Sequence, residues 1–226
     1  MRFPIILFFV CFVFLSAQTE KPDSSSEYSN YYLFNLLNKI DSNYYYSLLD
    51  SIKNGTSSDY FKLRLAFTKT GKYEPYGIEV KETYAKIEEA FEAGNFKKGL
   101  ELAESVLSES FTEIKAQMYA GYACEQLNKE EKAKYHYDNY NNLLNSIYLS
   151  GDGKTPETAF IVFTTSEEYI FIYWVNLKFE SQSLINKDGF AFDLMKCTDE
   201  KTGENFDLHF NITSAINHLQ KSFDKL

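Results

Sequence analysis

The sequence is poor in the residues from which most recognisable catalytic and metal sites are built. It holds three histidines, His136, His209 and His218, and no two have the i, i+4 spacing of paired metal ligands on a helix. Three cysteines in 226 residues, Cys11, Cys124 and Cys197, cannot make a disulfide scaffold. In an oxidising compartment Cys124 and Cys197 could pair, but they read rather as buried free thiols, because an unpaired cysteine packs as a small hydrophobe. There is no GxSxG elbow and no SxxK pair, the sequence marks of common serine nucleophiles. Cations are also scarce. Against 32 acidic residues stand 23 Lys and Arg, for a net charge of −9, and no lysine run exceeds two. That balance excludes nucleic acid and anionic membrane surfaces as partners, since both require clustered positive charge.

What is present sets an architecture. Met1–Ala17 (MRFPIILFFVCFVFLSA) has one early cation, a short apolar run and small residues before Gln18, the pattern of a cleaved secretory signal peptide. The run falls short of the roughly 20 apolar residues that span a bilayer, so no membrane span is expected after cleavage. Cleavage would remove Arg2 and leave a still more acidic chain, periplasmic or secreted. Gln18–Ser29 is polar and lacks periodicity, and is expected to be a flexible linker.

Residues 30–149 read as helical. Leu33, Leu36, Leu37 and Ile40 form one stripe, and Ser57-Ser58-Asp59 offers cap chemistry to a helix carrying Phe61, Leu65 and Phe67. Ala93–Gly99 (AGNFKKG) and Leu127–Ala133 (LNKEEKA) lie 34 positions apart, each between two helical patterns. That is the period of tetratricopeptide-type helical hairpins, with Gly99 and Ala133 at the small position where paired helices touch. Two units are fewer than the three a solenoid normally needs, so neighbouring elements should cover their ends.

At Ser150-Gly151-Asp152-Gly153 the helical pattern stops, and Pro156 prevents its return. Phe160–Thr164, Tyr169–Phe179, Phe190–Thr198 and Asn205–Ile212 follow as expected strands, and Ser183–Ile185 as a possible short one. Lys187-Asp188-Gly189 and Glu200–Gly203 are the hairpin turns. Thr213–Leu226 closes as an amphipathic helix. The expected class is α+β: N-terminal tetratricopeptide-like hairpins, then, over residues 150–226, a C-terminal antiparallel β-meander with its closing helix, packed as one unit.

Gly151–Thr155 (GDGKT) imitates the end of a phosphate loop, but the motif's earlier glycine is Tyr148 here and the segment follows a helix, so it reads as a structural turn, with an ion on its N–H groups or carboxylate as the alternative. Glu167, Glu168, Asp152 and Asp193 could form a carboxylate cluster if the strands gather them, and paired carboxylates can cleave glycosidic bonds. His209, in a strand, reads as a surface or half-buried residue. The 18 tyrosines and 20 phenylalanines could stack on sugars but more simply fill a core. No cofactor or metal is expected.

Four stretches carry a family resemblance: LRLAFTKTGKYEPYG (63–77), LLNSIYLSGDGKTPETAFIVFTTSEEY (143–169), the glutamine of ESQSL (180–184), and LHFNI (208–212). In these the chain resembles the uncharacterised family domain of unknown function 4919, of Bacteroides-type bacteria. The resemblance implies an exported protein and brings no activity with it. Carried over position by position, it singles out Arg64, Tyr73, Tyr76, Ser150, Asp152, Glu168, Tyr169, Gln182 and Asn211. Several of these are expected to converge in a groove where helices meet sheet. Structural roles are open to them as well: Tyr76 after Pro75 packing a turn, Asp152 shaping one, Asn211 capping the last helix. The functional expectation is a periplasmic binding or scaffolding module for a protein or peptide partner in the envelope. The alternative is a glycan hydrolase using acidic residues at that junction.

Overall fold

The structure, a computed structural model, describes residues 36, 39–76 and 78–223. The leader and linker expected over residues 1–29 lie outside them, as do Leu33 and Leu37 of the first stripe. Helix α1 (Ser42–Lys53) starts at Asp41, whose carboxylate accepts from the Tyr44 N–H at 3.0 Å. Asp59 caps α2 (Tyr60–Phe67) in the same way through Lys62 N–H at 2.9 Å. All but one side chain of α2, Lys62, are buried, so this short helix is a core element on nearly every side.

The 34-residue repeat corresponds to two helical hairpins. α3 (Ile78–Glu92) pairs with α4 (Phe96–Glu109), and α5 (Ile114–Gln126) with α6 (Glu130–Tyr148). Each helix packs on the next, and α3 also meets α5. A Cβ on Gly99 would lie 2.1 Å from the Phe91 ring, which explains the small residue at this helix contact. The hairpins enclose a core of Ile87, Leu100, Ala103, Ala120, Cys124 and neighbours. A larger core joins α1, α2 and the C-terminal half of α6 to the sheet. The 19-residue helix α6 belongs to both, with Ala133 in one and Leu143, Leu144 and Ile147 in the other. The sheet-bearing part therefore covers one end of the two-unit stack.

The sheet has the order β1 (Phe160–Ile161), β4 (Asn205–Asn211), β3 (Phe190–Thr198), β2 (Lys178–Lys187). β2, β3 and β4 form the expected antiparallel meander, turned at Asp188 and Gly189 with φ of 52° and 81°. β1 is different: it runs parallel to β4, so the sheet is mixed. The strand expected over Tyr169–Phe179 is also absent. Its first part belongs to helix α7 (Thr165–Trp174), and only Lys178 and Phe179 enter β2. The aromatic and β-branched run favours a strand, but capping decides: the Thr164 hydroxyl accepts from Glu167 N–H, and Asn176 at φ 60° ends the helix. Because Thr164 is a cap, β1 stops at Ile161 rather than at Thr164. A last helix, α8 (Thr213–Phe223), follows β4.

Candidate functional site at the helix–sheet junction

The segment from Ile161 to Glu168 is pinned from below by Arg64. Its guanidinium donates to both Glu167 oxygens at 2.9 and 2.8 Å, to Ser146 Oγ at 3.0 Å and to the Ile161 carbonyl at 2.9 Å. Glu167 Oε2 also accepts from the Phe163 N–H at 2.7 Å. Arg64 is 1% exposed and lies over the Phe163 ring, 5.0 Å from its centroid. A bidentate buried pair of this kind fixes geometry more than it adds stability, because desolvation offsets most of the attraction. Tyr73 adds a second pin, its buried hydroxyl donating to the Phe163 carbonyl at 2.5 Å.

Above this anchor, α7 turns Glu168 toward β3. Alternate β3 residues Ala191, Asp193, Met195 and Cys197 are buried, and all but Asp193 join the main core. One carboxylate thus stands in an apolar row. Glu168 reaches it. Two carboxyl groups can hydrogen-bond only through a proton, and Glu168 holds one at neutral pH. Burial, with the adjacent charge of Asp193 and then of Glu167, pushes its pKa up to about 9. Burial also raises the pKa of Asp193, opposed by hydrogen bonds from Glu168 and Gln182. Without that shared proton, neither Glu168 oxygen has a donor in a site with no exposed surface. Gln182 Nε2 donates to Asp193 Oδ2 at 2.6 Å, and the Tyr169 hydroxyl donates to Gln182 Oε1 at 3.0 Å.

A cavity of about 240 Å³ opens beside this chain of bonds, with Asp193 and Gln182 in its wall. The rest of the lining is mostly apolar: Tyr76, Val162 and Phe163 on one side, Ile212, Ala215 and Ile216 on another, and Leu184 at the rim. β2 is an edge strand, and Leu184 and Gln182 stand opposite Asp193 and Met195, on the face that elsewhere packs into the core. Yet Leu184 is 58% exposed. The β2 edge thus borders an open apolar groove, with Asp193 in its wall and Glu168 buried behind.

Over residues 25–221 the chain matches the family described as Domain of unknown function (DUF4919). It belongs to that family. No curated protein and no solved structure shows detectable similarity to it. Of the positions singled out by the DUF4919 resemblance, Tyr76 and Gln182 line the groove, Tyr169 bonds to Gln182, Glu168 lies buried against Asp193, and Arg64 and Tyr73 bond the Ile161–Phe163 segment behind it. The other three serve the β1 side of this DUF4919 fold. Ser150 Oγ accepts from the Ile161 N–H at 2.8 Å, and Asn211 Oδ1 accepts from the Thr213 N–H at 3.0 Å as α8 begins. Asp152 accepts from the Lys154 N–H at 3.0 Å within its own turn. Of the suspected acidic cluster, only Glu168 and Asp193 meet as a pair; Glu167 is taken by Arg64. Sequence reasoning had no place for Glu167 as an anchor. The Thr164-x-x-Glu167 capping pattern was the available signal.

His209 is half-buried, its Nδ1 3.1 Å from the Gly153 carbonyl, and His136 is buried beside Gln117 Oε1 at 2.9 Å. Among the described residues no cluster of three or more His, Cys, Asp or Glu could hold a metal ion, and no helix is long and apolar enough to cross a membrane. Cys124 and Cys197 are free and buried, one in each core.

Proposed function

We propose that this protein is a binding module of the cell envelope that takes an extended peptide segment of a protein partner along the β2 edge. The observation that carries the reading is Leu184: a large apolar side chain on a core-type face, left exposed at the rim of an apolar pocket. An open edge offers unpaired backbone groups to an added strand, and a pocket beside it gives side-chain selectivity. The test is to pan displayed random peptides on the folded protein and titrate a selected one. Binding should slow hydrogen exchange in β2 and weaken at least tenfold in Leu184→Asp. Peptides that ignore Leu184→Asp, or that protect only the hairpin helices, would refute the reading.

The carboxyl pair favours a second reading, acid–base hydrolysis of an envelope glycan. Its geometry argues against the usual two-carboxylate route, which needs the groups about 5–9 Å apart with the scissile bond between them. Here the two groups are hydrogen-bonding neighbours, and Glu168 has no exposed surface. Release of reducing ends from cell-wall glycan, abolished by Asp193→Asn, would revive it.

A further inference from the structure

The polar side of the pocket is short of donors. Asp193 and Glu168 together offer four oxygens, and beyond the Glu168 carboxyl itself only the Gln182 amide donates to them. The nearest guanidinium, Arg64, is spent on Glu167, Ser146 and a carbonyl. The charges that act on Glu168 are those of Asp193 and Glu167, and no lysine or arginine among the described residues offsets them. Asp193 is the carboxyl in the wall of this largely apolar cavity, and no cation stands beside it among the described residues. A buried charge without a counter-charge is costly, and a ligand that supplies one recovers that cost. Tyr76 stands in the cavity wall with Asp193, and an aromatic ring suits a cation. The cavity's 240 Å³ is several times the roughly 30 Å³ of a liquid water. That leaves room for a short aliphatic stem against Val162, Ile212 and Ile216.

We propose that the junction pocket binds a primary ammonium group on an aliphatic stem, with Asp193 as its acceptor and Glu168 buried behind it. The ammonium is a lysine side chain or the amino terminus of the partner. The inference rests on the groove reading for its biological setting, but its chemistry is tested separately.

The probes are n-butylammonium for a lysine side chain, leucinamide for an amino terminus, and n-butanol as the uncharged control. Each is titrated into the full chain at pH 7 and followed by methyl NMR at Val162, Leu184, Ile212 and Ile216. One or both amines should bind at least tenfold tighter than butanol, and the tighter of the two identifies the source. Glu168→Gln/Asp193→Asn, whose amides can still bond to one another, should erase the preference while butanol binding persists. If that variant does not fold, Asp193→Asn alone should reduce the preference severalfold. Butanol binding as tightly as both amines, an amine preference that survives the substitutions, or no binding by any probe would overturn the inference. The groove reading fails independently, through peptides indifferent to Leu184→Asp.

Discussion

Arg64 and Glu168 are both buried and ionisable, yet they face opposite problems. Arg64 has every partner it needs, so the cost appears when one is taken away. Arg64→Met leaves buried Glu167 without its partner and the Ile161 carbonyl short of a donor, and should lose about 3–5 kcal/mol in denaturant unfolding. Arg64→Met/Glu167→Met should recover much of that loss, because an apolar pair replaces a desolvated ionic one. Additive losses in the double-mutant cycle would show that the pair is not coupled. Glu168 carries its cost already. An acid whose pKa is raised on folding keeps its proton after the unfolded chain has lost it. Stability from this group is therefore fully present below about pH 4.5 and falls as pH rises toward about 9. The groups facing it are Asp193 from β3, Glu167 on its own helix, and the Tyr76 and Tyr169 phenols. Glu168→Gln removes the titration and keeps a donor for Asp193. Unfolding at pH 5.5, 7 and 8.5 should show the variant gaining on the wild type by up to about 1.4 kcal/mol per pH unit. Parallel pH profiles would mean that Glu168 is already ionised in the fold.

At the scale of elements, the turn between α6 and β1 is the most constrained connection. A Cβ on Gly151 would lie 2.4 Å from the Thr158 carbonyl oxygen and 2.5 Å from that of Ala159, both backbone. Those atoms cannot rotate away, and Asp152 and Gly153 N–H groups already bond to Thr158 O at 2.9 and 2.8 Å. Gly151→Ala should cost about 2–3 kcal/mol and loosen β1 from β4, read as faster amide exchange at Val162. Gly189, with a φ of 81° and open space around it, should cost only about 1–2 kcal/mol as alanine. Equal losses at the two glycines would undo the distinction. The importance of this turn was legible in the sequence, as were the 34-residue hairpin repeat and the β2–β3 turn, because glycine, proline and capping residues act locally. Helix α7 was not, since its aromatic, β-branched run scores as a strand and a single capping threonine reverses it. The anchor role of Glu167 was hidden for a different reason: its partner lies 103 residues away. Asp193 was half legible. A carboxylate between Ala191, Met195 and Cys197 in an alternating strand is an anomaly on the core face, and the partner that explains it comes from another element.

The molecule as a whole holds two apolar cores threaded by one helix, and each contains one cysteine. Burial raises both thiol pKa values, that of Cys197 to about 11, so neither should react until its core opens. Stacked hairpins contact chiefly their sequence neighbours and can loosen from the free end. The sheet core draws on residues from α1 through β4 and opens only with wider unfolding. Under native conditions, then, pulse labelling with a maleimide and peptide mass analysis should find Cys124 reacting faster than Cys197. Gly99→Val forces a side chain into the space of the Phe91 ring at the α3–α4 contact and should cost about 1–3 kcal/mol. If the cores open separately, that substitution speeds labelling at Cys124 roughly five- to 160-fold and leaves Cys197 within about twofold. If both rates rise together, α6 transmits the opening and the two cores are one cooperative unit. The separate outcome would also bear on binding. A ligand seated at β2 would then slow Cys197 without touching Cys124, because the groove takes walls from the sheet core and none from the hairpin core.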